Sequence, residues 1–133
     1  MRYKRPDMKN ALGIIEAAKI RFDYTLTLEA NAMSAATILS NVYESFRMLG
    51  DALLAYKGIK SEDHVLSIKE ISELRIDSKR PIVLVQSLRI LRHNINYYGY
   101  LPTIEEAKDA ISLGQACFYK AYENIRSKLS NLP

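Results

Sequence analysis

Apolar side chains in this sequence return every three or four residues, the interval at which an α-helix brings one face round again. The clearest run is Ala35, Leu39, Val42, Phe46, Leu49, Leu53 and Tyr56, stepping alternately by four and three. That spacing predicts a helix with an a/d-like seam from about Glu29 to Lys57, on the order of 40 Å long at 1.5 Å per residue. Gly58 is placed for a left-handed cap, with Ile59 folding back on the last turn. Before it, a first helix opens near Pro6-Asp7, where proline suits the first turn. Met8, Leu12, Ile15, Phe22 and Leu26 fall largely on one of its faces, and β-branched Thr25 and Thr27 blur its end.

After Gly58 the pattern predicts a short helix. Ser61 is its N-cap, Glu62 and Asp63 face the positive end of its dipole, and Val65, Ile68 and Ile71 or Leu74 form its apolar side. Asp77-Ser78-Lys79-Arg80 is a polar connection to Pro81, where a fourth helix starts with Leu84, Leu88, Leu91, Ile95 and Tyr98 as its buried stripe. Gly99 ends that helix and Pro102 prevents its continuation. Thr103-Ile104-Glu105-Glu106 has the form of a capping box, threonine bonding forward and Glu106 reaching back. A fifth helix then turns Ile104, Ala107, Ile111, Phe118, Ala121, Ile125 and Leu129 inward. No repeat, low-complexity segment or strand pairing is legible. The expected fold is all-α: an antiparallel up-and-down four-helix bundle with one additional short helix, in a single domain over residues 1–133.

Composition narrows the function classes. Apolar residues make up 48% and charged residues 26% of 133, ordinary globular usage that argues against disorder. No run of about 18 apolar residues exists to span a membrane, and the basic N-terminus leads into a stretch broken by Lys9, Glu16 and Lys19 rather than a secretory core. A single cysteine, Cys117, excludes an internal disulfide, and no Cys/His cluster has zinc spacing. These features predict a cytoplasmic protein with no metal, no cofactor and no membrane partner. The net charge of +4 is a mild excess spread over the chain. It permits nucleic-acid contact without demanding it.

The candidate chemistry gathers in Arg92-His93-Asn94-Ile95-Asn96-Tyr97-Tyr98-Gly99. Arg89, Arg92, His93 and Asn96 stand three or four residues apart and so project to one side of the fourth helix. A solvated polar face is the bland alternative. Two guanidinium groups, an imidazole and the amides of Asn94 and Asn96 within two turns suit a phosphate and its flanking nucleotides. Tyr97, Tyr98 and Tyr100 offer rings for stacking on bases, or for packing.

This segment resembles the HEPN family, small helical-bundle domains of prokaryotic toxin–antitoxin and defence systems, whose signature is an arginine, a polar residue, three further residues and a histidine. Arg92 matches the arginine, His93 the polar position and Asn94-Ile95-Asn96 the spacer, but Tyr97 stands at the final histidine. The upstream Leu53–Lys60 segment followed by Asp63-His64 is similar too, and the likeness in helix order and length covers roughly residues 30 to 125. The resemblance implies a homodimer in which paired motifs act on RNA without metal, the arginine stabilising charge on the phosphate and the histidine moving a proton. Tyrosine is a poor base near neutrality, since the reference phenol titrates at about 10. His93, one turn before Tyr97, is the visible replacement, acting beside Arg89 or Arg92.

The resemblance therefore implies an RNA- or nucleotide-binding homodimer with lost or altered ribonuclease activity. Its catalytic candidates are Arg92, His93 and Tyr97, and its nucleic-acid-binding candidates Arg89, Arg92, Asn94 and Asn96. Two alternatives stay open: an active metal-independent endoribonuclease, and a non-enzymatic module partnering a minimal nucleotidyltransferase, with Tyr97 or Tyr98 as the modified residue. His64 is read as a cap or a hydrogen-bonding partner of a neighbouring helix, and Cys117 as a small buried hydrophobe. Glu62-Asp63 and Glu105-Glu106 are explained by helix dipoles and capping.

Overall fold

The computed structural model describes residues 2–3, 5–60 and 64–130. The protein is all-α apart from one minimal strand pair. Its helices are α1 (Met8–Thr25), α2 (Ala35–Lys57), α3 (His64–Ser72), α4 (Val85–Tyr98) and α5 (Ile104–Ser130), with a 3₁₀ turn at Ile82–Leu84 leading into α4. The proposed cap at Ser61, with Glu62 and Asp63, lies outside the described residues. The strand pair is a correction to the sequence reading: Arg2–Tyr3 (β1) runs antiparallel to Ile59–Lys60 (β2), with Tyr3 opposite Ile59. Two residues are too few to show a period of two. The pair is anchored instead by the Asp7 N–H, which donates to the Ala55 carbonyl at 3.2 Å.

Helix α2 is the axis of the molecule and packs against α1, α3, α4 and α5. Its seam from Ala35 to Leu53 is buried as expected, and Tyr56 is half-buried. Ile38, Tyr43, Ala52 and Leu54 are buried too, because neighbours surround it on more than one side. The helix starts at Ala35 rather than Glu29. Asn31 Oδ1 accepts the N–H groups of Met33 and Ser34 at 2.9 Å, and Ser34 Oγ donates to the Glu29 carbonyl at 2.6 Å. Those side chains offer the backbone a turn in place of helix. Gly58 closes α2 at φ 70°, the left-handed conformation expected there.

The core is continuous through all five helices. At its centre Phe118 stacks on Phe22 with ring centroids 4.5 Å apart and meets Phe46 edge-on at 5.7 Å. On α1 the buried line is Ala11, Ile15, Ala18, Phe22 and Thr25, which leaves Leu12 exposed, contrary to the expected face. Ala11 and Ala18 allow close approach, and the larger Leu12 is rotated off that line. On α3, Ile68 and Ile71 are buried while Val65 is exposed. On α5 the line runs through Ala110, Leu113, Gly114 and Cys117 as well, and Ile104 and Ile111 are only half-buried. Two glycines set the closest approaches. A Cβ on Gly50 would stand 2.0 Å from the Ser67 carbonyl oxygen of α3, and one on Gly114 would stand 2.4 Å from the Phe22 ring of α1.

The capping box forms as expected: the Glu106 N–H donates to Thr103 Oγ1 at 3.0 Å, and the Thr103 N–H donates to Glu106 Oε1 at 2.9 Å. The Tyr100 hydroxyl adds a bond of 2.5 Å to the same carboxylate. That hydroxyl, with the Thr103 backbone, holds the Glu106 carboxyl below its ordinary range. The loop after α4 is thereby tied to the start of α5.

Candidate nucleic-acid interface on the fourth helix

Helix α4 is anchored at one end only. Val85 and Leu88 are its buried residues, Leu91 and Ile95 are half-buried against the core, and Tyr98 is 76% exposed, not part of the stripe as expected. The inward row runs out after Ile95 because Gly99, at φ 64°, turns the chain away, with the N–H groups of Gly99 and Tyr100 both donating to the Asn94 carbonyl. The last turn of α4 therefore stands in solvent. Along the opposite side Val83, Ile90 and Tyr97 are spaced by seven and more than half exposed, an apolar line that no other element covers among the described residues. No carboxylate occurs anywhere in α4, which carries Arg89, Arg92 and His93.

The structure divides the candidate residues between two directions. Arg92 turns inward: its guanidinium carbon lies 5.3 Å from the centre of the Tyr43 ring, and its Nη2 is 3.4 Å from Glu44 Oε1. The other oxygen of Glu44 is held by Arg47, at 2.9 Å from Nε and 2.7 Å from Nη2. Arg47 also reaches Asp51 at 2.6 Å and His64 Nδ1 at 3.3 Å, and the Ser67 hydroxyl donates to Asp51. A chain of charge-assisted contacts thus runs from α4 across α2 to α3. Burial pushes the Tyr43 hydroxyl above its usual range, with the Arg92 charge pulling the other way. His64 hydrogen-bonds to a neighbouring helix, as read from the sequence. Its partner Arg47 was not singled out, nor were Glu44 and Asp51.

His93 turns outward. Its ring lies 4.6 Å from that of Tyr97 and 5.7 Å from that of Tyr98, all three side chains being exposed. Asn96 is exposed on the same end of the helix. Asn94 and Arg92 are two residues apart, so about 200° of helical rotation separates them and they do not share a side. Arg89 is half-buried, and its Nε is shielded from solvent with no acceptor. The structure therefore brings His93 and Tyr97 together and sets Arg92 against α2.

Chemically, the exposed end of α4 presents one imidazole, two phenol rings and a carboxamide. Arg92 sits behind them, 32% exposed and ion-paired. Such a surface can stack on rings and donate to phosphate oxygens. Glu44 had no signal in sequence, since it lies on a different helix. The apolar line Val83, Ile90 and Tyr97 did have one in its seven-residue spacing. Among the described residues no group of three or more His, Cys, Asp or Glu side chains is arranged to hold a metal, and no helix is long and apolar enough to cross a membrane. No family model matches the chain, no curated protein matches it, and no solved structure matches it.

Proposed function

We propose that this chain is a HEPN-like homodimer that binds RNA or a nucleotide through α4, with ribonuclease activity lost or altered. The observation that carries this reading is the solvent-exposed turn of α4, where His93, Tyr97 and Tyr98 make ring contacts on a helix without a carboxylate. In this reading the four long helices form an antiparallel up-and-down bundle, and the protein works in the cytoplasm in a toxin–antitoxin or defence context. The second copy packs on the Val83, Ile90 and Tyr97 line. Two α4 helices facing each other along that line leave the Arg92 side of each copy turned away from the seam, so each copy keeps its own phosphate contact.

Arg92 is the phosphate ligand, and the Glu44 contact holds it ready at the edge of the face. His93 supplies the proton transfer that Tyr97 cannot, one turn short of the usual position, and a misplacement of that size costs most of the rate. The altered chemistry follows from that displacement. An interaction module for a minimal nucleotidyltransferase is the second reading. It is favoured by the exposure of Tyr97 at 71% and Tyr98 at 76%, which leaves either hydroxyl open to modification.

Labelled structured and single-stranded RNA, incubated with the protein in EDTA beside Arg92→Ala and His93→Ala variants, tests the reading. Binding without cleavage, weakened about tenfold in Arg92→Ala, is expected, a change of about 1.4 kcal/mol. Cleavage abolished by His93→Ala would make the protein an active endoribonuclease. Absence of both binding and cleavage overturns the nucleic-acid reading.

A further inference from the structure

The end of the molecule formed by the connection after α3 and the C-terminal half of α5 carries a second feature, independent of the reading of α4. Residues Arg75, Ile76 and Asp77 run beside α5 and leave an open groove of about 730 Å³ against Tyr119, Glu123, Asn124 and Lys128, with three bases in its lining against the carboxylates of Asp77 and Glu123. A smaller hollow of about 350 Å³ adjoins it, bounded by Leu53, Leu74 and the Lys57–Glu70 ion pair. Arg75, Asn124 and Lys128 line both. The connection is pinned to the helix, not loose: Lys120 Nζ donates to the Asp77 carbonyl, and Arg80 reaches Asp109 at 3.0 Å.

Three side chains here are not accounted for by folding. Arg75 and Lys128 make no hydrogen bond and no ion pair with the described residues, although the other bases around them are engaged. Asn124 Oδ1 is shielded from solvent and accepts from no protein group. A buried amide atom left without a partner is destabilising. Asn124 lines both hollows, so its amide stands within reach of a ligand where the protein supplies no partner. The floor is completed by Tyr119, whose hydroxyl donates to Asp23 and whose ring packs edge-on to Phe22 and Phe118, so it is a fixed wall.

We propose that this groove binds a small phosphate monoester carrying a planar, hydrogen-bonding ring, with the phosphate between Arg75 and Lys128 and the ring edge on the Asn124 amide. A guanidinium fork and an ammonium recognise phosphate by geometry and by charge respectively. Ile76 and the Tyr119 ring supply the apolar flank that a ring needs, and the volume is in the usual range for small-ligand sites.

The test is titration of the intact protein with adenosine monophosphate, inorganic phosphate and adenosine, followed by amide NMR shifts at fixed ionic strength. Expected are shifts at 75–77 and 119–128 with the monophosphate, at least tenfold weaker with either fragment, and lost in Arg75→Gln/Lys128→Gln. Arg92→Gln should leave this binding unchanged, which separates it from the α4 reading. Asn124→Leu is expected to raise the thermal midpoint without ligand and to abolish the response. Shifts scattered over every basic surface, equal binding of adenosine, or no shifts at all overturn the proposal. A lowered midpoint in Asn124→Leu with binding retained removes the amide from the site.

Discussion

Gly13 and Gly50 both lie inside helices, yet their surroundings oppose each other. A methyl group at Gly13 meets nothing within 4 Å, whereas at Gly50 it would overlap the Ser67 carbonyl at 2.0 Å. Gly13→Ala is therefore expected to stabilise by about 0.5–1 kcal/mol through helix propensity. Gly50→Ala is expected to destabilise by about 3 kcal/mol, as backbone must move to admit the methyl. Urea unfolding of the two variants checks both signs, and equal effects would contradict the close approach of α2 and α3. Glu44 matters at the same scale, because its carboxylate serves Arg47 and Arg92 together. Glu44→Ala should cost about 2 kcal/mol, the scale of lost hydrogen bonds to charged groups. Because the Glu44 contact holds Arg92 ready in the proposed reading, the variant should also bind RNA more weakly, measured by filter binding at two salt concentrations.

At the scale of elements, α4 is unlike its neighbours. The other long helices bury a full stripe, while α4 buries two residues and leaves an apolar line and an aromatic end in solvent. Sequence periodicity locates the stop of the helix, since Gly99 takes the left-handed cap, but starts it at Pro81, where a 3₁₀ turn precedes the α-helix at Val85. It overstates burial at Tyr98, because periodicity reports which residues share a side and not how far a neighbouring helix extends. The line Val83, Ile90 and Tyr97 belongs to the proposed dimer, so Ile90→Lys should shift the sedimentation of a dimer to that of a monomer with unchanged far-ultraviolet dichroism. A wild type that sediments as a monomer at all micromolar concentrations, with and without RNA, sinks the paired-helix arrangement.

Across the whole molecule, α1 and α5 are joined by two phenol–carboxylate contacts, Tyr119 to Asp23 and Tyr122 to Glu16. Burial first, and the carboxylate partner second, push each of these hydroxyls from 10.0 to about 12. A folded value above the unfolded one favours the protonated form, so their contribution is complete below pH 10.0 and lost as pH rises towards about 12. The Tyr119 hydroxyl in turn lowers Asp23 from 3.8, and the Tyr100 hydroxyl lowers Glu106 from 4.5. The stability those carboxylates provide is present above their ordinary values and lost as pH falls through the lowered ones. Denaturant midpoints from pH 3 to 12 should therefore form a plateau with declines at both ends. Tyr119→Phe should flatten part of the alkaline decline, and an unchanged profile would contradict the linkage.

Local chemistry settled much of this in advance. The seam of α2, its Gly58 cap, the Thr103–Glu106 box and the Gly99 stop depend on residues within one or two turns of each other, and each forms as read. The late start of α2 was missed because the turn at Asn31 and Ser34 competes with helix through side chains that periodicity ignores. Segregation of Arg89, Arg92, His93 and Asn96 from Asn94 follows from the helical angle. Only the tertiary structure decided which of those groups meet something. Arg92 faces Glu44, 48 residues earlier in the chain, and that contact depends on how α4 lies across α2. The groove at Arg75 and Asn124 is of the same kind, since a connection and a helix far apart in sequence make it. Periodicity along one chain encodes which face is apolar. Which surface covers that face, and where the cover ends, is a property of the packed helices together.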